Sequence, residues 1–450
     1  MFMEQLDATI ISPVIPQMAT DFGVQPLDLN LTMTVYLLCS LIFVPLSGVL
    51  ADRLGSRPVF SCSLLLFVLS SALCALASGP LSLCIYRGLQ GAAAAMMVPV
   101  GRNVLIHAVS RGKLVQALAW MVTPAMLGPM LGPPVGGLLG TYLSWEWVFW
   151  VNVPVGLVGL LVAWRIMPPL HAPAGGGFHA GEWLLVSALL AWVVIGIEFI
   201  THAGGPAWIL PYIAVLVGLI VAYAWCRKRL PKPMVDLRLL RVPSFAAGFW
   251  GGSLIRVGYG TLPFLLPLML QLGLGYSPVH SGLVLLVGGV AAMLAKTQTP
   301  AMLGRWGFRR SLLGNGWVCA AGLATCAAYA LPGWNLTAIA ATIAVSGFFR
   351  AIQFNALSAI AYADLPAEKV ASATTLNTMA WQLAVMLGIA LSTVVVEASA
   401  AWQGRGVPAV NDYAAAFLML AVVCLAAMPC YRALPEDAGS ELSGHSARTT

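Results

Sequence analysis

The sequence predicts an all-α protein that crosses a membrane many times, and three observations carry that expectation. Sixty per cent of the residues are hydrophobic and only 9% charged, where a soluble domain carries about a quarter charged residues. Apolar runs of about 20 residues recur along the whole chain, the length a bilayer core demands. The basic residues also alternate: of 23 Lys and Arg, 18 lie in one alternating set of loops and tails, Arg405 lies in the opposite set, and Arg87, Arg256, Lys296 and Arg350 lie inside apolar runs. That is the positive-inside bias of an inner-membrane protein. The net charge of +7 is therefore a statement about topology and gives no reason to expect nucleic acid.

In chain order, hydropathy places spans near 2–19, 29–51, 58–78, 80–102, 114–140, 145–167, 183–202, 207–226, 243–273, 279–300, 310–331, 335–362, 376–400 and 412–431, a total of fourteen. Spans of 27 or more residues imply tilt or kinks. An even number puts both termini on one side, together with Arg53, Arg57, Arg102 to Lys113, Arg227 to Arg241 and Arg305 to Arg310, so that side is expected to be the cytoplasm. The first span begins almost at Met1 without a basic leader or a small-residue cleavage site, so it does not read as a signal peptide. Asp7 stands so near Met1 that a start further upstream is expected. Arg227 to Arg241 is the longest charged stretch and reads as a cytoplasmic connector. The polar, small-residue tail after Leu434 is expected to be disordered.

An internal repeat is visible. Arg53, Gly55 and Arg57 after span two match Arg305, Gly307 and Arg309 after span ten, and Arg87-x-x-Gln90 in span four matches Arg350-x-x-Gln353 in span twelve. Echoes in the same order predict two six-helix halves, 1–168 and 243–434, separated by two extra helices and the connector in 169–242, with 435–450 as the tail. Duplicated halves imply a substrate path between them.

Energy-coupling and enzyme chemistry find no footing. Around Arg111-Gly112-Lys113-Leu114, the nearest approach to a phosphate loop, Leu replaces the magnesium-binding Ser or Thr and His107 the first glycine. The six His residues show no metal-ligand spacing, and the nine Cys form no CxxC pair and read as small apolar fillers. No catalytic residue, metal or cofactor is expected.

Five motifs stand in order: Leu6-Asp7-Ala8-Thr9-Ile10; Gly48-x-x-Ala51-Asp52-Arg53-x-Gly55-x-Arg57; Leu83-x-x-x-Arg87-x-x-Gln90-Gly91; Gly128-x-x-x-Gly132-Pro133-Pro134-x-Gly136-Gly137; and Trp147-x-Phe149-x-x-Asn152-x-Pro154-x-Gly156. Together they resemble the major facilitator superfamily and, within it, the fourteen-helix drug:proton antiporter branch of EmrB/QacA type. The resemblance implies a major facilitator fold of 6+2+6 helices. Glu146 departs from the pattern, where an Arg is more usual, which leaves the charge pairing of that loop open.

Each motif has two readings. Gly48 and Gly55 permit a tight turn, Asp52 stands at a helix end, and Arg53 and Arg57 are placed to pair with it or with anionic lipid. Loop packing explains this, and the resemblance implies more, a charge latch that holds one conformation. The second copy has Gly304 where Asp52 stands, so only the first half carries the acid. In span five, Gly128, Gly132, Gly136 and Gly140 recur every four residues and form a stripe for close helix approach, while four prolines bend the helix. Packing explains the stripe, and the resemblance implies an antiporter motif, including Pro133 and Gly137, that seals the two halves against proton leak.

Ionisable side chains inside a membrane are functional suspects by default. Among the acidic residues within spans, Glu4, Asp7, Glu198 and Glu397 are the candidates. Asp7 is the favoured proton carrier, and Glu4 shares its helix face three residues away. Glu198 and Glu397 stand toward helix ends that reach water. A carboxylate closed off among apolar groups favours its protonated form, and opening to water or the approach of a cation favours release. Arg87 is the natural counter-charge, and the resemblance also implies a place for it in proton coupling. Arg256, Arg350 and Gln353 are candidate cavity residues. The bases Arg256, Lys296 and Arg350 either neutralise acids, snorkel to an interface, or favour substrates with acidic groups.

The expected function is export of drugs or other hydrophobic small molecules in exchange for protons by alternating access. One proton moving down ~100 mV supplies about 2.3 kcal/mol, a gradient of roughly 50-fold for a neutral compound exchanged one for one. The alternative is an exporter dedicated to one metabolite, with an organic acid suggested by the interior bases. Expected partners are the substrate, protons and membrane lipid. A periplasmic adaptor is compatible with this reading, and a monomer is expected because one chain holds both halves.

Overall fold

The computed structural model describes residues 1–109, 114–168, 179–199, 209–230 and 236–443. Among them all regular structure is helical. The chain divides into two compact units, Met1–Met234 and Val235–Thr450.

In the first unit, α1 (Phe2–Ile10) and α2 (Ile15–Phe22) follow one another across a tight turn, Ser12–Val14. Hydropathy reads this stretch as one span. Pro13 lacks an N–H and its ring crowds the preceding turn, so the helix is interrupted there. Next come α3 (Asn30–Leu54) and α4 (Ser56–Ala75), joined by Gly55 alone, whose φ of 90° favours glycine. Then follow α5 (Pro80–Ala108), α6 (Leu114–Tyr142), the single turn α7 (Trp147–Trp150) and α8 (Asn152–Ile166). Pro124, Pro129, Pro133 and Pro134 all lie inside α6, which a membrane helix tolerates when its neighbours close over the freed carbonyls. The unit closes with α9 (Ala180–Phe199) and α10 (Ile209–Lys228).

The unit packs α1 on α6, α3 on α5, and α4 on both α5 and α8. Met3, Tyr36, Leu64, Phe67, Ala93, Ala94 and Met97 form one buried cluster where those helices meet. In contrast, α10 buries none of its residues, and Ile213, Val217 and Val221 project outward. Such a surface would aggregate in water. In lipid it is already solvated.

In the second unit, α11 (Pro243–Gly260) and α12 (Leu262–Leu268) run into a π turn at Met269–Gly273. The long α13 (Pro278–Ala328) is interrupted at Gly307, with φ 70° and ψ 171°, so it consists of two rods. These correspond to the two spans read at 279–300 and 310–331. After them come α14 (Leu336–Ala363), α15 (Ala367–Trp402), α16 (Val410–Leu425), α17 (Met428–Arg432) and α18 (Ser440–Ser443).

Among the described residues, ten helices are long and apolar enough to cross a membrane. Residues 435–443, expected to be disordered, are instead packed in this structure: Gly439 lies against Phe308 and Ile360, and Arg309 pairs with Glu436 at 3.2 Å. The apolar side chains of Phe308 and Ile360 give the tail a landing place that local composition does not reveal.

Candidate functional site

Five helices bring polar side chains to one point inside the first unit. Asp7 on α1 is fully buried, and Arg87 on α5 is 1% exposed. Arg87 Nη1 donates to Asp7 Oδ2 at 2.6 Å. The second carboxylate oxygen, Oδ1, accepts from Gln90 Nε2 at 2.9 Å and from Asn152 Nδ2 at 2.7 Å. Arg87 Nη1 also donates to Gln90 Oε1 at 2.7 Å. Arg87 and Gln90 stand three residues apart on α5 and so present to the same side.

A second tier holds the first. Asn152 Nδ2 lies 3.2 Å from Ser71 Oγ on α4, and Ser71 in turn donates to the Phe149 carbonyl at 2.9 Å. Asn152 is the first residue of α8, so its side chain is fixed by the start of that helix and not by a mobile loop. The Tyr36 ring, from α3, lies across Arg87 with its centroid 4.2 Å from Cζ. That cation–π contact covers one face of the guanidinium.

The carboxylate of Asp7 thus meets three N–H donors and no acceptor. Such a set fits its ionised form, which only accepts. A proton placed on Asp7 would remove the charge that holds Arg87 and add an O–H for which this set of donors offers no acceptor. Glu4, one turn earlier on α1, has its Oε2 buried with no hydrogen-bond partner.

The glycine stripe of α6 packs onto this same α1. A Cβ on Gly128 would lie 2.7 Å from Gln5 Cβ. At Gly132 it would run into the Thr9 hydroxyl, and at Gly136 into the Ile10 carbonyl. The stripe therefore lets α6 lie backbone-to-backbone along the helix that carries Asp7. Pro133 and Gly137 are buried beside it. Gly91 does the same for α5, where a Cβ would meet the Tyr36 carbonyl.

The loop around Gly55 is arranged differently from a closed charge latch. Gly48 has open space around it. Arg53 is exposed, and among the described residues neither Arg53 nor Arg57 forms an ion pair with Asp52. Arg57 donates to the Trp164 carbonyl, and its guanidinium lies 5.5 Å from the Trp164 ring centroid.

Candidate residues of the second unit form their own group. Arg256 is 7% exposed, with Cζ 5.6 Å from the Phe354 ring centroid. Arg350 lies 5.8 Å from the Tyr259 ring centroid. Gln353 Nε2 donates to the Leu312 carbonyl at 3.3 Å. Lys296 is exposed, Glu397 engages another group, and the Glu198 side chain lies outside the described residues, as do Arg111 and Lys113.

The sequence motifs contained Asn152 but gave it no role, and Ser71 carried no signal at all. Buried Asp412 was also missed. It accepts from Arg405 at 3.0 Å, Ser399 at 2.6 Å and the Ala409 N–H at 2.8 Å, a cap that ties the end of α15 to the start of α16. The charge patterning that isolated Arg405 was the available clue to its partner. Among the described residues the nine cysteines are free thiols, and no group of side chains is arranged to hold a metal ion.

A family model described as Major Facilitator Superfamily matches residues 1–389 and 249–449. A protein of Klebsiella pneumoniae described as "Putative multidrug resistance protein MdtD" is 31% identical over 442 residues, 98% of this chain and 93% of its own length. Its counterpart in Pectobacterium atrosepticum is 34% identical over 403 residues, 88% of this chain and 84% of its own. Among solved structures, the nucleoside transporter NupG superposes with a TM-score of 0.67 at 13% identity, over 96% of this chain and 98% of that one. An auto-inhibited POT family peptide transporter gives 0.69 at 13%, over 100% and 96%. At such identities the two structures bear on the fold alone.

Proposed function

The chain belongs to the Major Facilitator Superfamily, a multi-pass membrane transporter and not an enzyme, and we propose that it exports drugs or other hydrophobic small molecules in exchange for protons. The observation that carries this reading is the Asp7 carboxylate, fully buried and held by Arg87, Gln90 and Asn152. The resistance named in the description of the Klebsiella relative supports the choice of substrate class.

In this mechanism Asp7 takes up a proton and loses its hold on Arg87. The released guanidinium cannot stay unpaired in an apolar interior without cost, so α5 moves relative to α1 or Arg87 finds another partner. Loss of the proton restores the pair. Glu4, with its unpartnered Oε2 one turn away, is the candidate relay between Asp7 and water. Substrate binding favours one state and protonation the other, and that difference in affinity drives alternating access. Asp52, Arg53 and Arg57 are proposed to latch one of these states, forming their pair only there.

The same reading takes the membrane to be the inner membrane and the span total to be fourteen. To the ten helices above it adds α1 with α2, α6, α9, and the division of α13 at Gly307. Both termini are then cytoplasmic, the halves are 1–168 and 243–434, and one chain with its lipid suffices as the working unit.

Everted vesicles test the function. Proton movement is followed on addition of lipophilic cations, neutral drugs and organic acids to wild type and Asp7→Asn. Coupling to several unrelated compounds that disappears in Asp7→Asn supports the proposal. Full coupling in Asp7→Asn sinks the proton site, and a response to one compound alone sinks the broad substrate class.

A further inference from the structure

The two units repeat one scaffold with different charges. Gly23 and Gly275 both have left-handed φ, 67° and 72°; Gly55 and Gly307 do too, at 90° and 70°; and Pro26 and Pro278 each open a helical segment. All three pairs stand 252 residues apart. At that offset Glu4 and Asp7 correspond to Arg256 and Tyr259. At 263, Arg87 and Gln90 correspond to Arg350 and Gln353. The side chains agree, since Arg350 faces Tyr259 as Arg87 faces Asp7. A phenol stands where the carboxylate would be, and its hydroxyl is already engaged with the Cys319 carbonyl and Ser346, each at 2.8 Å.

Gly248 lies against Ala361, Arg256 against Phe354 and Tyr259 against Arg350. Numbers rise on α11 as they fall on α14, so the helices run antiparallel, with Arg256 beside Phe354 and Arg350 beside Tyr259 along the seam between them. A Cβ on Gly252 would lie 2.8 Å from Arg256 Nη1, so glycine there leaves the guanidinium its room. Among the described residues no acid pairs with them: α11, α13 and α14 contain no Asp or Glu, and neither arginine takes part in an ion pair. Each rests against an aromatic face alone, a weak hold for a cation in a membrane body. A carboxylate offers both a charge and a bidentate hydrogen-bond match.

We propose that Arg256 and Arg350 form a carboxylate-binding site on the α11–α14 seam, and that the transported compounds include organic acids with an apolar body. The inference rests on the exporter reading above and narrows its substrate class. A lipid phosphate shares the anionic chemistry, so the test separates the two sources.

Full-length protein is placed in phosphatidylcholine nanodiscs, and binding of 1-naphthoate, neutral 1-naphthamide and tetraphenylphosphonium is measured by tryptophan fluorescence. Wild type is expected to prefer naphthoate to naphthamide by about tenfold or more. Arg256→Gln and Arg350→Gln lose that preference and keep tetraphenylphosphonium binding; Arg350→Lys, which retains the charge, keeps part of it. No preference in wild type, a preference that survives both glutamine substitutions, or equal loss of acid and cation overturns the site. Loss of naphthoate binding on adding phosphatidylglycerol makes the lipid phosphate the occupant and overturns it as a substrate site. Proton-coupled tetraphenylphosphonium movement in vesicles, abolished by Asp7→Asn, is scored separately. If that persists while naphthoate fails, only the present inference falls.

Discussion

Arg87 and Asp7 form a 2.6 Å ion pair in which both side chains are buried, so neither charge has water as an alternative partner. An interior pair of this kind adds little stability over an apolar pair of the same size, yet breaking it from one side is costly. That asymmetry suits a switch. It also yields a stability signature that a surface pair would lack.

Asp7→Asn leaves Arg87 charged and unpaired, and is expected to cost about 3–5 kcal/mol of stability. Asp7→Asn with Arg87→Gln removes both charges, and should recover a large part of that loss while remaining uncoupled. Melting of the four proteins of the cycle in detergent checks this. Additive losses would mean that the two residues do not act as a pair.

Tyr36 tests the role of its ring apart from its hydroxyl. The Tyr36 hydroxyl is buried without a hydrogen-bond partner, so Tyr36→Phe should change stability by less than about 1 kcal/mol. Tyr36→Ala removes the cation–π cover of Arg87 and leaves a cavity, at about 3–5 kcal/mol. Equal effects of the two substitutions would show that the hydroxyl matters in a state other than this one.

The α6 stripe should be graded by what each glycine meets. At Gly136 the obstacle is the Ile10 backbone carbonyl, whereas at Gly140 it is a Val14 methyl at 2.5 Å, which a rotamer change relieves. Gly136→Ala is therefore expected to reduce folded yield and disturb coupling, and Gly140→Ala to cost about 1–3 kcal/mol at most. Yield and proton movement in vesicles, compared for the two, read the difference. Indifference at Gly136 would remove α1 as the partner that matters.

The tail predicts another contrast. Arg309 and Glu436 are both partly exposed, so Glu436→Gln should shift stability by less than about 1 kcal/mol. Gly439 has φ 67° and no free space beside Phe308, so Gly439→Ala should release the tail. Limited proteolysis at the C-terminus reports it. If Glu436→Gln is cut faster than Gly439→Ala, the ion pair and not the packing holds the tail.

Much of this architecture was legible because lipid imposes one simple rule, about 20 apolar residues per span, and the stretches of α3, α5, α14 and α16 obey it. The break at Pro13 was not, because a hydropathy average does not register what a proline does to the backbone; the π turn at Met269–Gly273 and the packed tail at 435–443 were not, because each depends on neighbours distant in sequence. At the site, Asp7 and Arg87 announced themselves by charge in an apolar run. Asn152 and Ser71 are small neutral polar residues common in membrane helices, so nothing local marks them. The α6 glycines were visible as a stripe, but not the helix they would lie on. Arg256 and Arg350 were visible as interior bases, and only their aromatic surroundings set them apart from helix-end charges.

Gly55 is the whole of the connection between α3 and α4, and Gly307 divides α13 in the same manner. At both places the chain has no slack: two rods share one swivel, and a shift at the end of the first is carried to the second within a single ~3.8 Å step. Length is consequently as constrained there as chemistry. Inserting one residue in either flanking rod would turn everything beyond it by about 100° and present the wrong side of the helix to its neighbours. Insertions and deletions should therefore abolish folding at these two corners, even though they are connections between helices, where most chains are free to vary.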